Sequence, residues 1–126
     1  MKPPVPLGPP DVSELRDLID QWASFADELE KKEYTFDLDN WRNDVDVREL
    51  ILEALPMFSR EEIGDHALKL DEADKAFKAG TRVFKRCIWG HGTQTKEKWT
   101  PQANWWYFRT PVRSNAQLED ELSMVR

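Results

Sequence analysis

The run Trp105-Trp106-Tyr107-Phe108-Arg109 constrains the fold of this chain more than any other stretch. Four consecutive aromatic residues, then a charge and Thr110-Pro111, read as a β-strand with its stop signal. Alternation along a strand puts Trp105 and Tyr107 on one face and Trp106 and Phe108 on the other. With both faces aromatic, the strand cannot lie half in water. It is expected to be the floor on which the preceding helices pack, covered on each side by helix, loop or a partner.

The rest of the composition bounds what surrounds that floor. A chain of 126 residues is enough for one domain and can bury roughly two thirds of its unfolded surface. Six tryptophans argue against disorder, because disordered chains are poor in aromatics. One cysteine, Cys87, excludes a disulfide framework and fits a reducing cytoplasm. No apolar run approaches the ~18 residues of a membrane span, and the first ten residues lack the apolar core of a signal peptide. A cytoplasmic protein without membrane contact is the expectation. The net charge of −6 is uneven: residues 1–80 carry −10 and residues 81–126 carry +4. Such an asymmetry bears on partners rather than on fold.

Residues 1–10 hold five of the eight prolines and are expected to form a disordered, polyproline-like arm, leaving 11–126 as one mainly helical domain. The steps Pro3-x-x-Pro6 and Pro6-x-x-Pro9 have the spacing that aromatic grooves recognise, with only Lys2 as a basic flank. Asp11 caps a helix over 12–32, with Glu14 three residues on. Val12, Leu15, Leu18, Ile19, Trp22, Phe25, Ala26 and Leu29 form its apolar stripe.

Residues 34–46 thread aromatics through four aspartates and read as an irregular link, with one helical turn at 38–43. Asp46, with Glu49 after it, is predicted to cap a second helix over 47–55, with Leu50, Ile51, Ala54 and Leu55 inward. Ser59 and Glu62 make a capping box for a third helix over 60–79, with a break possible near Gly64 and a left-handed cap at Gly80. The segment 83–89 suits a strand, 90–95 a turn or loop, and 105–109 pairs back antiparallel. Ser114 caps a last helix over about 115–123. The expected fold is α+β, three or four helices packed on a small antiparallel β-hairpin.

Chemistry is sparse in this pattern. Asp37, Asp39, Asp44 and Asp46 suggest a calcium loop, but the positions that need glycine and glutamate hold Arg42 and Arg48. Cys87, His66 and His91 are too few and too scattered for structural zinc. Cys87 and His91 stand four residues apart across a strand end, which gives no reason to expect a nucleophile–base contact. No nucleotide, zinc-protease or hydrolase motif occurs, so no catalytic residue, metal or cofactor is assigned.

The expectation is therefore a non-catalytic protein-binding domain, monomeric or weakly dimeric. A small acidic adaptor or a bacterial toxin-neutralising, immunity-type protein would be a concrete form. Its partner would offer a basic protein surface to Asp37, Asp39, Trp41, Asp44 and Asp46, a ring amid carboxylates on an exposed link. The alternatives are an enzyme with no visible motif and single-stranded nucleic-acid binding through region 81–113. That region places Arg82, Lys85, Arg86, Lys96, Lys98, Trp99 and Arg109 among further aromatics. The whole-chain pI of about 5.0 argues against nucleic acid.

Overall fold

Asp11 fixes where the first helix begins. Its carboxylate accepts the Glu14 amide at 3.1 Å, and α1 runs Val12–Lys31. A computed structural model describes residues 11–126; the proline-rich arm falls outside the described residues. Of the stripe read from the sequence, Leu15, Ile19, Trp22, Ala26 and Leu29 are buried along α1 and Val12, Leu18 and Phe25 are half-buried. This face packs most extensively on α4 (His66–Ala79) and then on α2 (Leu38–Ala54).

The helix α2 corrects the reading of 34–46 as an irregular link. Asp37 is its N-cap, accepting the Asn40 amide at 2.9 Å, and the helix continues unbroken for 17 residues. Asp46 caps nothing; it lies mid-helix and its side chain is bonded elsewhere. Helix-interior aspartates commonly compete for local backbone groups. Here Asp44 and Asp46 have tyrosine hydroxyls as distant partners, so the helix is not broken. Apolar and polar positions around α2 follow no single stripe, because it is enclosed from several directions. Leu50, expected inward, is exposed, while Arg48 is buried.

After a 3₁₀ turn at Leu55–Met57 comes the short α3 (Arg60–Ile63), with the predicted reciprocal capping box between Ser59 and Glu62. The break at Gly64 is real. Its φ of +67° suits glycine and interrupts what would otherwise be one helix over 60–79. Gly80 is not the left-handed cap expected, since its φ is −91°. It is needed for space instead: a Cβ there would sit 2.8 Å from the Leu29 backbone, where α4 ends against α1.

The hairpin is smaller than predicted. β1 covers Thr81–Val83 and pairs antiparallel with β2, Arg109–Pro111, in the register Thr81↔Pro111 and Val83↔Arg109. Of segment 90–95, read as a turn or loop, residues 91–95 belong to α5 (His91–Glu97) and Gly90 precedes it. The last helix, α6 (Ala116–Ser123), is capped by Asn115 rather than Ser114, its side chain accepting the Leu118 amide at 2.8 Å. Among the described residues there are six helices and this two-stranded sheet, more helices than the three or four expected, in an α+β arrangement.

The aromatic run is the largest departure. Trp105–Phe108 form a 3₁₀ turn, and the strand begins at Arg109, where it was expected to end. A strand would have offered only two faces, and the three-residue β1 could not cover both. A tight turn sends successive side chains in different directions. Trp105 meets Phe77 at 5.9 Å, Trp106 lies under the Arg48 guanidinium at 4.6 Å, and Tyr107 packs on Trp99 at 4.1 Å. Backbone bonds from Phe84 and Ile88 to the carbonyls of Phe108 and Tyr107 hold the turn against segment 84–88.

Candidate functional site

The acidic segment meets solvent much less than an exposed link would. Trp41 is 0 % exposed. Its indole donates to the Arg109 carbonyl at 3.2 Å, and its ring packs on Tyr34 and stacks on Phe77. It is a core residue and not available as an interface ring. Asp37 is engaged as a helix cap, and its amide contacts hold its carboxyl below the usual range. Asp39 points outward, its side chain 85 % exposed and 3.6 Å from Arg42.

Asp44 and Asp46 are half-buried and leave α2 toward different sides. The Tyr34 hydroxyl donates to Asp44 at 2.7 Å. Asp46 accepts from the Tyr107 hydroxyl at 2.7 Å and from the Trp89 indole at 3.3 Å. One turn along, Glu49 accepts from the Asn104 side chain at 2.9 Å. These carboxylates tie α2 to the connections that follow α1 and β1. Burial raises the pKa of all three, against the lowering effect of the hydrogen bonds they accept. Burial, then the hydrogen bond to a carboxylate, pushes both phenols far up.

A pH experiment follows from these directions. A carboxyl whose folded pKa lies above its unfolded value stabilises most when protonated in both states, and that contribution is lost as pH rises through the folded value. Asp46→Asn removes one such titration while keeping an acceptor for Tyr107. Relative to the parent, the variant is expected to gain stability as pH rises from the ordinary aspartate value of 3.8 toward neutrality. Urea unfolding at a series of pH values reads the difference; a variant that loses stability relative to the parent as pH rises would contradict the assignment.

The basic aromatic region 81–113 is likewise occupied from within. Trp106, Tyr107 and Phe108 are buried, and none of the large hydrophobics exposed in this region is aromatic. Two of the half-buried rings carry cations: Arg42 lies 5.1 Å from Trp89, and Lys78 lies 4.5 Å from Trp105. Trp99 packs on Tyr107. Arg109 donates to the Thr81 hydroxyl and carbonyl and to the Lys78 carbonyl, and Arg82 stands 4.0 Å from Glu119. Lys85, Lys96 and Lys98 are exposed and Arg86 is half-buried, while the rings of Phe84, Trp89, Trp99 and Trp105 among them are half-buried.

Cys87 is buried, and burial pushes its thiol up, while His91 is exposed. Among the described residues, no three His, Cys, Asp or Glu side chains converge as metal ligands, and no helix is long and apolar enough to cross a membrane.

One concavity was not singled out from the sequence. A cleft of about 500 Å³ opens between the second half of α1, the link to α2, and the middle of α2. Trp22, Phe25, Tyr34 and Phe36 form its aromatic wall, and Glu28, Glu33 and Asp44 supply carboxylates. Of the five residues assigned to the acidic contact, Asp44 alone lines it. The signal that could have found it was Tyr34-Thr35-Phe36, two aromatics just ahead of a helix cap, on a link where exposure is the rule. Comparison with models of protein families, with curated proteins and with solved structures finds no match for this chain.

Proposed function

We propose that this protein is a non-catalytic binding domain whose partner is a protein with a basic surface, as in a small acidic adaptor or a toxin-neutralising, immunity-type protein. The observation that carries the reading is the cleft beside α2 on the acid-rich part of the chain, lined by the carboxylates of Glu28, Glu33 and Asp44 and by the exposed ring of Phe36. Carboxylates at such a rim steer a basic partner and raise the association rate. The nucleic-acid alternative is the less favoured reading, because Trp106, Tyr107 and Phe108 are buried and Trp89, Trp99 and Trp105 pack on Arg42, Tyr107 and Lys78.

The test is capture of partners from the native host by the full chain, with and without nuclease. Retention of a basic protein after nuclease supports the proposal; a bound fraction that disappears with nuclease overturns it. Asp39→Asn then probes steering, because this carboxylate is exposed and caps no helix. Association with the captured protein is expected to slow roughly two- to fivefold at low salt and to converge with the parent at high salt. Stability should stay within about 0.5 kcal/mol, as for other surface substitutions. An unchanged rate at low salt would remove Asp39 from the approach path.

A further inference from the structure

We propose that the α1–α2 cleft receives one lysine or arginine side chain of the partner, with its cation between the aromatic wall and the carboxylates of Asp44 and Glu28. This rests on the partner reading above and adds the place and chemistry of the contact.

The wall is continuous. Ring centroids step from Trp22 to Phe25 at 5.8 Å, from Phe25 to Tyr34 at 6.3 Å, and from Tyr34 to Phe36 at 5.7 Å; Trp22 and Tyr34 are buried and back the wall, and the half-buried Phe25 and the exposed Phe36 supply the ring surface open to a cation. Ring faces carry partial negative charge and attract cations within about 6 Å. Leu29 and Val47 also line the cleft and suit the apolar stem of a long basic side chain. Its volume lies within the roughly 300–1,000 Å³ range of small-ligand sites.

The charges face the same way. Among the described residues, Asp44 has one hydrogen-bond donor, Tyr34, and no ion pair. The charged group acting on it is Glu28, of the same sign, whose repulsion adds to the effect of burial. A cation entering here offsets the repulsion and the cost of keeping a half-buried carboxylate charged. Lys32 also borders the cleft, but it makes no ion pair within 4 Å and stands alone against Glu28, Glu33 and Asp44. A phosphate or an anionic membrane would be repelled by this set.

Phe36 marks the entrance. It is 59 % exposed, a large ring held in water beside carboxylates, and it touches the wall only through Tyr34 among its aromatic neighbours. An aromatic ring that gains burial on association, ringed by polar groups, is the usual make-up of a binding hot spot. That role was sought in Trp41 and is available instead at Phe36.

The experiment is a nuclear magnetic resonance titration of the full chain at low salt with a twelve-residue peptide of Gly-Ser-Arg repeats. The control peptide replaces each arginine by citrulline, which is neutral and nearly isosteric. Shifts are expected to concentrate at residues 28–36 and 44–47, with the citrulline peptide at least tenfold weaker. Phe36→Ser and Glu28→Gln are each expected to weaken the arginine peptide by roughly five- to tenfold, the size of a partly desolvated cation–ring or ion contact. Both positions are exposed, so melting temperatures should be unchanged.

Shifts spread along the outer faces of α1 and α4, variants that bind like the parent, or a citrulline peptide that binds equally well would each overturn the assignment. If Phe36→Ser retains full affinity for a captured basic protein, the cleft assignment fails while the partner reading stands. If only nucleic acid is captured, the partner reading fails and the assignment with it.

Discussion

Asp74→Ala is expected to destabilise the protein by about 3–5 kcal/mol, the range for removing one partner of a buried ion pair. Asp74 lies on α4 and holds two other helices at once. Its carboxylate accepts Arg48 Nε at 2.9 Å and Arg48 Nη2 at 3.1 Å, and it also accepts the Trp22 indole N–H at 2.9 Å. Arg48 is 8 % exposed, and its guanidinium is flanked by the rings of Trp105 and Trp106. Without Asp74 the guanidinium keeps its charge among rings, with no carboxylate to offset it. Its Nη1, like the Trp106 Nε1, already lacks a hydrogen-bond partner among the described residues, so little local rearrangement can compensate.

The loss comes chiefly from the stranded charge, and a second variant separates that from loss of shape. Arg48→Met with Asp74→Asn removes both charges and leaves an amide oxygen for Trp22. It should recover more than half of what Asp74→Ala loses, because replacing a whole buried pair is far milder than breaking one. Urea denaturation of the three proteins measures this. A cost below about 1 kcal/mol for Asp74→Ala would place the pair with solvent-screened surface bridges.

Such bonds mark where the fold was legible and where it was not. α1 was readable because cap and stripe lie within 21 consecutive residues and need no distant partner. The break at Gly64 was readable for the same reason. α2 was misread because its aspartates are satisfied by Tyr34, ten residues away from Asp44, and by Tyr107, 61 residues away from Asp46. Without those hydroxyls in view, four aspartates look like caps and turns. The aromatic run had the composition of a strand, yet its neighbours lie on several sides, and only a turn delivers rings to all of them. The cleft was missed for a related reason. Its wall draws on residues 22 to 36, which the sequence divides between a helix stripe and a link, and only the fold brings Asp44 to it.

Trp41→Ala is expected to lose about 3–5 kcal/mol, at the upper end for large-to-small core changes, and Trp41→Phe much less, about 1–2 kcal/mol. The ring sits where α2 crosses the ends of α1, α4 and β2. It meets Phe25 at 5.7 Å, Tyr34 at 5.0 Å and Phe77 at 6.0 Å, the last nearly parallel at 16°. Deleting it opens a void bounded by three other rings that are held by their own helices and cannot close in far, so the cavity term is large. Its indole N–H also joins α2 to the Arg109 carbonyl at the start of β2. Phenylalanine keeps most of the volume and loses that bond, which is why the two substitutions separate packing from hydrogen bonding. The experiment also decides between core and interface, since an interface ring could be removed with stability intact. If Trp41→Ala unfolds at the same urea concentration as the parent, the ring is not part of the core. If the parent-like Trp41→Phe binds a basic partner normally while Phe36→Ser does not, the contact belongs to the rim of the cleft and Trp41 only supports the wall behind it.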